Sequence, residues 1–394
     1  MTSKLGSQRA DLRVAFDARM VNYRRAGGIG QYSVSLLRAL SRLPEIGRGA
    51  GVQVLQMRGD RERIVRDRRF RRVPLWTPPH HRFEQPGLGV ELLKLWPRPQ
   101  LIHSPDFVPP RYRTMRAVAN IQDLAFLKFP DLTLLTAESK RYYGQVRRAA
   151  QDADALIALS NSARDDIVSL LGVTPGKVAV IPGAAGEHFK PPGDFSLAQQ
   201  LASREFGLPA PGEGGYILFV STIEPRKNLP TLLEAYRKLL DAGRVSPAPA
   251  LAVVGREGWL FERVHASIDE LRLRERVRLL GGVSDAALVR LYQGARAFAM
   301  PSLYEGFGLP VLEAMQSGVP VVSSNAGSLA EVAGDAAILV ESLDVDGWAA
   351  GIERVLLDEG ESARLVQAGL RQARQFSWER AARETWRLYL QVAG

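Results

Sequence analysis

Two glutamates eight positions apart, Glu305 and Glu313, bracket the run Gly306-Phe307-Gly308-Leu309-Pro310. An ionised carboxylate only accepts hydrogen bonds, and each can take several, so two of them facing one cleft suit a ligand rich in hydroxyl groups. Gly306 and Gly308 carry no side chain to block approach to the open amides of a helix start, a natural seat for a phosphate or sugar oxygen. Pro310 suits the first turn of that helix and Gly318 its end. Upstream, Thr222-Ile-Glu-Pro-Arg226-Lys227-Asn228 sets two cations beside a helix start near Leu229. Cations do not help a helix N-terminus unless an anion joins them, so Arg226 and Lys227 read as a clamp for a diphosphate. A third group, Arg19 to Gly30, ends in Gly27-Gly28-Ile-Gly30. Its spacing Gly28-x-Gly30-x-x-Ser33 lacks the third glycine of a dinucleotide fingerprint.

These groups need elements to place them. Apolar runs at 13–17, 52–57, 101–103, 117–121, 155–159 and 178–181 alternate with helical or loop segments, as a parallel sheet requires. The glycine loop falls between the first run and a helix over 30–43. A Pro/Gly-rich stretch follows, from Pro182-Gly183 through Pro191-Pro-Gly-Asp194 to Pro209 and Gly215. The rhythm then restarts at 216–220, 251–255, 277–280, 297–300 and 319–322. The pattern predicts an α/β fold of two Rossmann-like doubly wound domains, 1–195 and 196–377, with a final helix over about 378–394. In such sheets ligands sit beyond the carboxyl ends of strands, where all three groups fall.

Glu305 and Glu313 with the segment through Val319-Pro-Val-Val322 and Asn325-Ala-Gly-Ser-Leu-Ala-Glu331 resemble the Glu-x7-Glu signature of family-4 retaining glycosyltransferases, in a mannosyltransferase-like form. Arg226-Lys227, the loop with Gly28 and Gly30, and Ser160-Asn-Ser162 with Lys177 to Gly183 extend the similarity over nearly the whole chain. The resemblance implies a GT-B fold, two domains facing a central cleft with the final helix crossing back onto the first. It implies transfer of a hexose, mannose being favoured, from a nucleotide-diphosphate sugar to a saccharide or lipid-linked acceptor. By the same resemblance Arg226 and Lys227 stabilise the leaving diphosphate, Glu305 holds the sugar hydroxyls and Glu313 the ribose hydroxyls. Gly28, Gly30, Gly306, Phe307, Gly308 and Leu309 line the donor, and the backbone at Val283 meets the base. Many relatives carry His-Asp where this chain has Gln122-Asp123. Glutamine can donate and accept hydrogen bonds but cannot take a proton near neutral pH, so a base is lost at that position.

Composition narrows the alternatives. Zero cysteines among 394 residues exclude disulfides, thiolate metal sites and a cysteine nucleophile, and five scattered histidines offer no metal cluster. No metal or cofactor is expected. A net charge of +10 favours anionic partners, and the stretch Arg58 to Arg72 carries eight arginines against three acids. It reads as a solvated face or as a surface for an anionic membrane. No nucleic-acid motif accompanies it. With no apolar leader or membrane-length run, the sequence reads as a cytoplasmic protein able to touch the inner membrane face. Three other functions share parts of this pattern: a glycoside hydrolase uses two carboxylates but needs no diphosphate clamp, an epimerase shares the donor but needs no acceptor, and a nucleotide-sugar-binding protein would have lost turnover.

Overall fold

The computed structural model describes residues 12–22, 27–47, 49–133 and 136–394, and the chain divides into two compact units. Tyr23, Arg24, Arg25 and Ala26 of the glycine loop lie outside the described residues. The first unit takes Met1–Gly183 with Ser377–Gly394, and the second takes Ala184–Phe376.

The first unit is built on seven strands: β1 (Arg13–Asp17), β2 (Gly51–Met57), β3 (Phe70–Leu75), β4 (Leu101–Ser104), β5 (Arg116–Ile121), β6 (Ala155–Ala158) and β7 (Val178–Val180). They pair in parallel in the order β3-β2-β1-β4-β5-β6-β7. Helices cover both faces of a parallel sheet, so its strands must be apolar on both sides. Val14, Ala15 and Phe16 are accordingly fully buried. Helix α1 (Gly28–Arg42) packs Leu36, Leu37 and Leu40 inward, and α2 (Glu84–Leu93) packs Leu88 and Leu92. The strand order reverses between β1 and β4.

Strand β3 was hidden by its arginines, since it begins within the charged stretch and carries Arg71, Arg72 and Pro74. An edge strand bonds on one side only, so proline and outward cations are tolerated there. Arg69 is tied down as well. Its Nη2 donates to Asp67 Oδ2 at 2.7 Å and to the Ser41 carbonyl at 2.7 Å.

The second unit has six parallel strands: β8 (Tyr216–Val220), β9 (Ala250–Val254), β10 (Val277–Gly281), β11 (Ala297–Met300), β12 (Val321–Ser324) and β13 (Ala337–Val340). Their order is β10-β9-β8-β11-β12-β13, which reverses between β8 and β11. Strand β12 starts two residues later than the apolar run 319–322 suggests. Pro320 has no N–H for the ladder, and its carbonyl accepts from Phe298 instead, at 3.0 Å. Helices α3 (Leu229–Ala242), α4 (Asp285–Gly294) and α5 (Leu309–Gln316) follow β8, β10 and β11.

The units divide at Gly183/Ala184, twelve residues before the boundary 195/196 suggested by the sequence. The stretch in between packs on the second unit. Phe189 is buried edge-on to Tyr292, and Gln316 Nε2 donates to the carbonyls of Gly186 (2.9 Å) and Phe189 (2.8 Å). Helix α6 (Trp378–Ala393) belongs to the first unit, where Ala381, Ala382, Trp386 and Tyr389 form its buried face. Tyr389 donates to His103 Nδ1, and His103 Nε2 donates to Asn120 Oδ1 at 2.6 Å. Complete burial lowers the His103 pKa to about 4, more than the Asn120 bond and Asp17 raise it, so the ring is a neutral strut between sheet and helix. No helix among the described residues is long and apolar enough to cross a membrane.

Candidate active site

Arg226 and Lys227 follow β8 and Glu305 follows β11, so they flank the place where the second sheet reverses its strand order. Such a switch point leaves a crevice at the carboxyl ends of strands. Glu305 Oε1 accepts from Lys227 Nζ at 2.6 Å and from Ser302 Oγ at 2.7 Å, and Oε2 accepts from Arg226 Nη1 at 3.2 Å. Arg226 also donates to Glu224 Oε1 at 2.8 Å and to the Tyr304 carbonyl at 2.7 Å. Two cations and two carboxylates thus form a cluster of zero formal charge. Burial acts to raise the Glu305 pKa, but Lys227 and then Arg226 outweigh it and hold the group at about 2. One of the three Lys227 ammonium protons is used by Glu305, and two remain to be offered to an anion.

The surrounding backbone is fixed by its own hydrogen bonds. Asn228 adopts the left-handed conformation, and its Nδ2 donates to the carbonyls of Pro301 (3.0 Å) and Ser342 (2.7 Å). The Arg226 carbonyl accepts from Leu303 N–H at 2.9 Å. Ser328 N–H donates to the Glu305 carbonyl at 3.0 Å, and its single hydroxyl proton is shared between the Phe307 carbonyl at 2.7 Å and the Glu305 carbonyl at 3.0 Å. Gly308 caps α5 at φ +110, and a Cβ there would come within 2.7 Å of Leu329 Cδ2. A Cβ on Gly327 would run into the Glu305 carbonyl. Phe307 is buried edge-on to Phe376, while Leu309 opens the helix with Pro310 behind it.

Glu313 lies one turn into α5, and its Oε2 accepts from Tyr292 Oη of α4 at 3.1 Å. Burial raises its pKa to about 7, with the Tyr292 bond opposing and Asp285 adding to the rise. A raised folded-state value means that the stability of the protonated form is complete below the ordinary carboxyl range and is lost as pH rises through about 7. Glu313→Gln should therefore raise the melting temperature at pH about 8 and leave it unchanged near pH 4. Hydroxyl donors to Glu313 would favour its ionised form, so a hydroxyl-rich ligand bound there should lose about tenfold in affinity from pH 8 to 6, and this dependence should vanish in Glu313→Gln. Calorimetric titration at the two pH values checks it. Val283 follows β10, beside Ser284, whose Oγ caps the helix that carries Tyr292.

In the first unit, Gly28 opens α1 and Gly30 is buried in its first turn. Gln122 follows β5, and its Oε1 lies 3.9 Å from where a Cβ on Gly28 would stand. Its Nε2 is buried without a partner among the described residues. Asp123 Oδ1 accepts from Ala125 N–H at 3.1 Å, shaping the turn that follows β5. Among the described residues, no group of three His, Cys, Asp or Glu side chains is placed to hold a metal ion.

Sequence reasoning missed Glu224, Ser302, Ser328 and Tyr292 as supports of this site. Glu224 sits two residues before Arg226, a spacing at which a turn brings the two together. Nothing local links Tyr292 to Glu313, 21 positions away.

Two family models match the chain: "Glycosyltransferase Family 4" over residues 26–185 and "Glycosyl transferases group 1" over residues 203–372. The O-antigen chain mannosyltransferase B of Escherichia coli is 33% identical over 290 residues, 73% of this chain and 74% of that protein. A serotype-specific mannosyltransferase WbdA of the same species is 32% identical over 244 residues, 62% of this chain but only 29% of the longer protein. The structure of Anabaena Alr3699/HepE in complex with UDP and glucose superposes with a TM-score of 0.73 at 16% identity, over 96% of this chain and 99% of that one.

Proposed function

The chain belongs to the group 1 glycosyl transferases of glycosyltransferase family 4, as a mannosyltransferase-like enzyme of GT-B fold, and on that premise we propose that it transfers mannose with retention from a nucleoside diphosphate sugar to a saccharide or lipid-linked acceptor. The observation that carries this reading is the Arg226–Lys227–Glu305 cluster at the switch point of the second sheet. Two mannosyltransferases of Escherichia coli among the relatives favour the mannosyl group, and a guanine base is proposed with it from the overall resemblance to mannosyl-transferring members.

In this reading the donor diphosphate meets the outward protons of Lys227 and the guanidinium of Arg226. Their positive charge grows in value as the bond from the anomeric carbon to the diphosphate oxygen breaks and negative charge gathers on the leaving group. Glu305 and Glu224 keep both cations in place before the donor arrives, so little reorganisation is needed during reaction. Glu305 also accepts from a sugar hydroxyl, and Glu313 from the ribose. The acceptor hydroxyl adds to the anomeric carbon on the face the diphosphate leaves, and its proton passes to a diphosphate oxygen. Gln122, beside Gly28 in the first unit, can hydrogen-bond a hydroxyl of the acceptor but cannot take its proton.

The N–H groups of Lys227 and Arg226 are the donors proposed for the leaving oxygens, and no divalent ion is assigned to the reaction. Turnover should survive a chelator unchanged, measured as nucleoside diphosphate release. Loss with chelator and recovery with magnesium would contradict this assignment. Peripheral contact with an anionic membrane belongs to the same proposal. It is supported by the charge of +10 and by the arginine-rich surface of the first unit.

A further inference from the structure

Away from the carboxyl ends of its strands, the first unit exposes large apolar side chains around α2. Phe83, Val90 and Leu93 are all exposed, at spacings that place them on one side of the helix. Trp96, 76% exposed, follows it. Trp76, 68% exposed, is held against the same helix through its N–H, which donates to Glu91 Oε1 at 2.7 Å. Tyr112 packs over Gly89, so close that a Cβ there would come within 2.8 Å of the tyrosine Cβ. Arginines accompany these rings: the Arg58 guanidinium lies 4.0 Å from the Trp76 ring centre, Arg82 4.7 Å from Phe83 and Arg111 5.6 Å from Tyr112. A protein that stays in water rarely gathers so much exposed apolar surface in one place, and tryptophan and tyrosine beside arginine suit the headgroup level of a membrane.

At the C-terminal end of α2 this surface runs into a cavity of about 1030 Å³ that Leu92 and Leu93 share with five arginines, Arg13, Arg98, Arg111, Arg113 and Arg116. Asp152 and Asp154 are the carboxylates of its side-chain lining, and both are engaged. Asp154 accepts from Arg116 at 2.7 Å and from Ala117 N–H at 2.8 Å, and Asp152 lies 3.6 Å from Arg148. Arg113 donates to the carbonyls of Pro110 (3.0 Å) and Asp152 (2.5 Å). Arg13 Nε is buried with no partner among the described residues. The cavity therefore holds a surplus of three cations, with one buried donor left unused. It lies at the amino ends of β1 and β5, where Arg13 and Arg116 begin those strands, and the Asp17 and Gln122 positions lie at the other end.

We propose that this cavity receives the phosphate of an anionic lipid headgroup while the aromatic side of α2 enters the membrane interface. The inference rests on the proposed membrane contact and names the site and lipid chemistry that produce it. Apolar rings and a cationic pocket on one continuous surface match the two halves of a phospholipid, which a free phosphate in solution does not require.

Flotation of the full chain with phosphatidylcholine vesicles, with and without phosphatidylglycerol, tests it. Arg98→Glu and Trp96→Ser probe the surface, and Arg371→Glu on the second unit makes the same charge change elsewhere. The inference expects binding only with phosphatidylglycerol, weakened about tenfold or more by Arg98→Glu and clearly by Trp96→Ser, and unaffected by Arg371→Glu. Circular dichroism and nucleotide-sugar affinity should be unchanged in all three. Equal weakening by Arg98→Glu and Arg371→Glu would leave membrane contact standing as general attraction and overturn the headgroup site. Failure to bind phosphatidylglycerol vesicles at all would overturn both. Calorimetric binding of soluble glycerol phosphate that Arg98→Glu removes, without vesicle binding, would make the cavity a site for free phosphates and overturn the lipid assignment.

Discussion

Replacing Lys227 by alanine should lower kcat about 10²- to 10³-fold while the donor still binds. Its ammonium group is 2.6 Å from Glu305 and 11% exposed, so it is held in a nearly dry site where a charge acts at greater strength than in water. In the proposed mechanism it meets the charge that appears on the diphosphate as the glycosidic bond breaks. Losing one such preorganised donor typically costs two to three orders of magnitude. Because the interaction strengthens toward the transition state, kcat and kcat/KM should fall together, with a smaller change in calorimetric donor affinity. Lys227→Arg should recover only part of the rate, since a planar fork does not reproduce a point charge on a flexible stem. Steady-state kinetics on the three proteins decide it. A rise in KM with kcat unchanged would make Lys227 a ground-state binding residue and no more.

The second large effect is expected at Glu305. Glu305→Gln keeps the shape but removes the charge, leaving Arg226 paired with Glu224 and Lys227 without a carboxylate partner among the described residues. Breaking a buried pair by neutralising one partner costs about 3–5 kcal/mol, because the other charge stays buried and uncompensated. Loss of the donor's sugar contact should remove turnover by at least about 10²-fold as well. The pH dependence has a definite sign. Glu305 is held well below its ordinary value, at about 2, so its contribution is present above the ordinary carboxyl range and is lost as pH falls toward 2. Wild type and Glu305→Gln should differ most near neutrality and converge in acid. In the double variant Lys227→Ala/Glu305→Gln, stability should return toward wild type while activity stays lost, a coupling that two independent sites would not show. Equal stability of wild type and Glu305→Gln at pH 7 would contradict the ion-pair reading.

Much of this site could be read from sequence because its chemistry is local. Arg226 and Lys227 adjoin, Glu305 and Glu313 share one loop and helix, and Gly308 marks where a side chain cannot stand. The apolar runs likewise revealed most strands, since a parallel strand covered on both faces must be apolar throughout. What stayed hidden depends on contacts between distant segments. Ser302, Ser324 and Ser342 lie on three different segments, yet the Ser302 carbonyl accepts from Ser324 Oγ at 2.6 Å and from Ser342 Oγ at 3.1 Å. The Tyr292 bond that holds Glu313 comes from another helix and has no sequence signature. Strand β3 was obscured because an edge strand carries arginines and a proline that a central strand would reject. The unit boundary shifted because Phe189, in a stretch that looks like a linker, is buried against Tyr292.

The most direct test of the central claim is a turnover and calorimetric screen of uridine, guanosine and adenosine diphosphate sugars against the wild type, with Lys227→Ala and Glu305→Ala beside it. The account predicts that one donor, GDP-mannose, binds and is slowly cleaved to the nucleoside diphosphate, and that both variants lose the cleavage. If no nucleotide sugar binds, or if cleavage continues undiminished in both variants, the Arg226–Lys227–Glu305 cluster is not the donor site and the proposed mechanism falls with it.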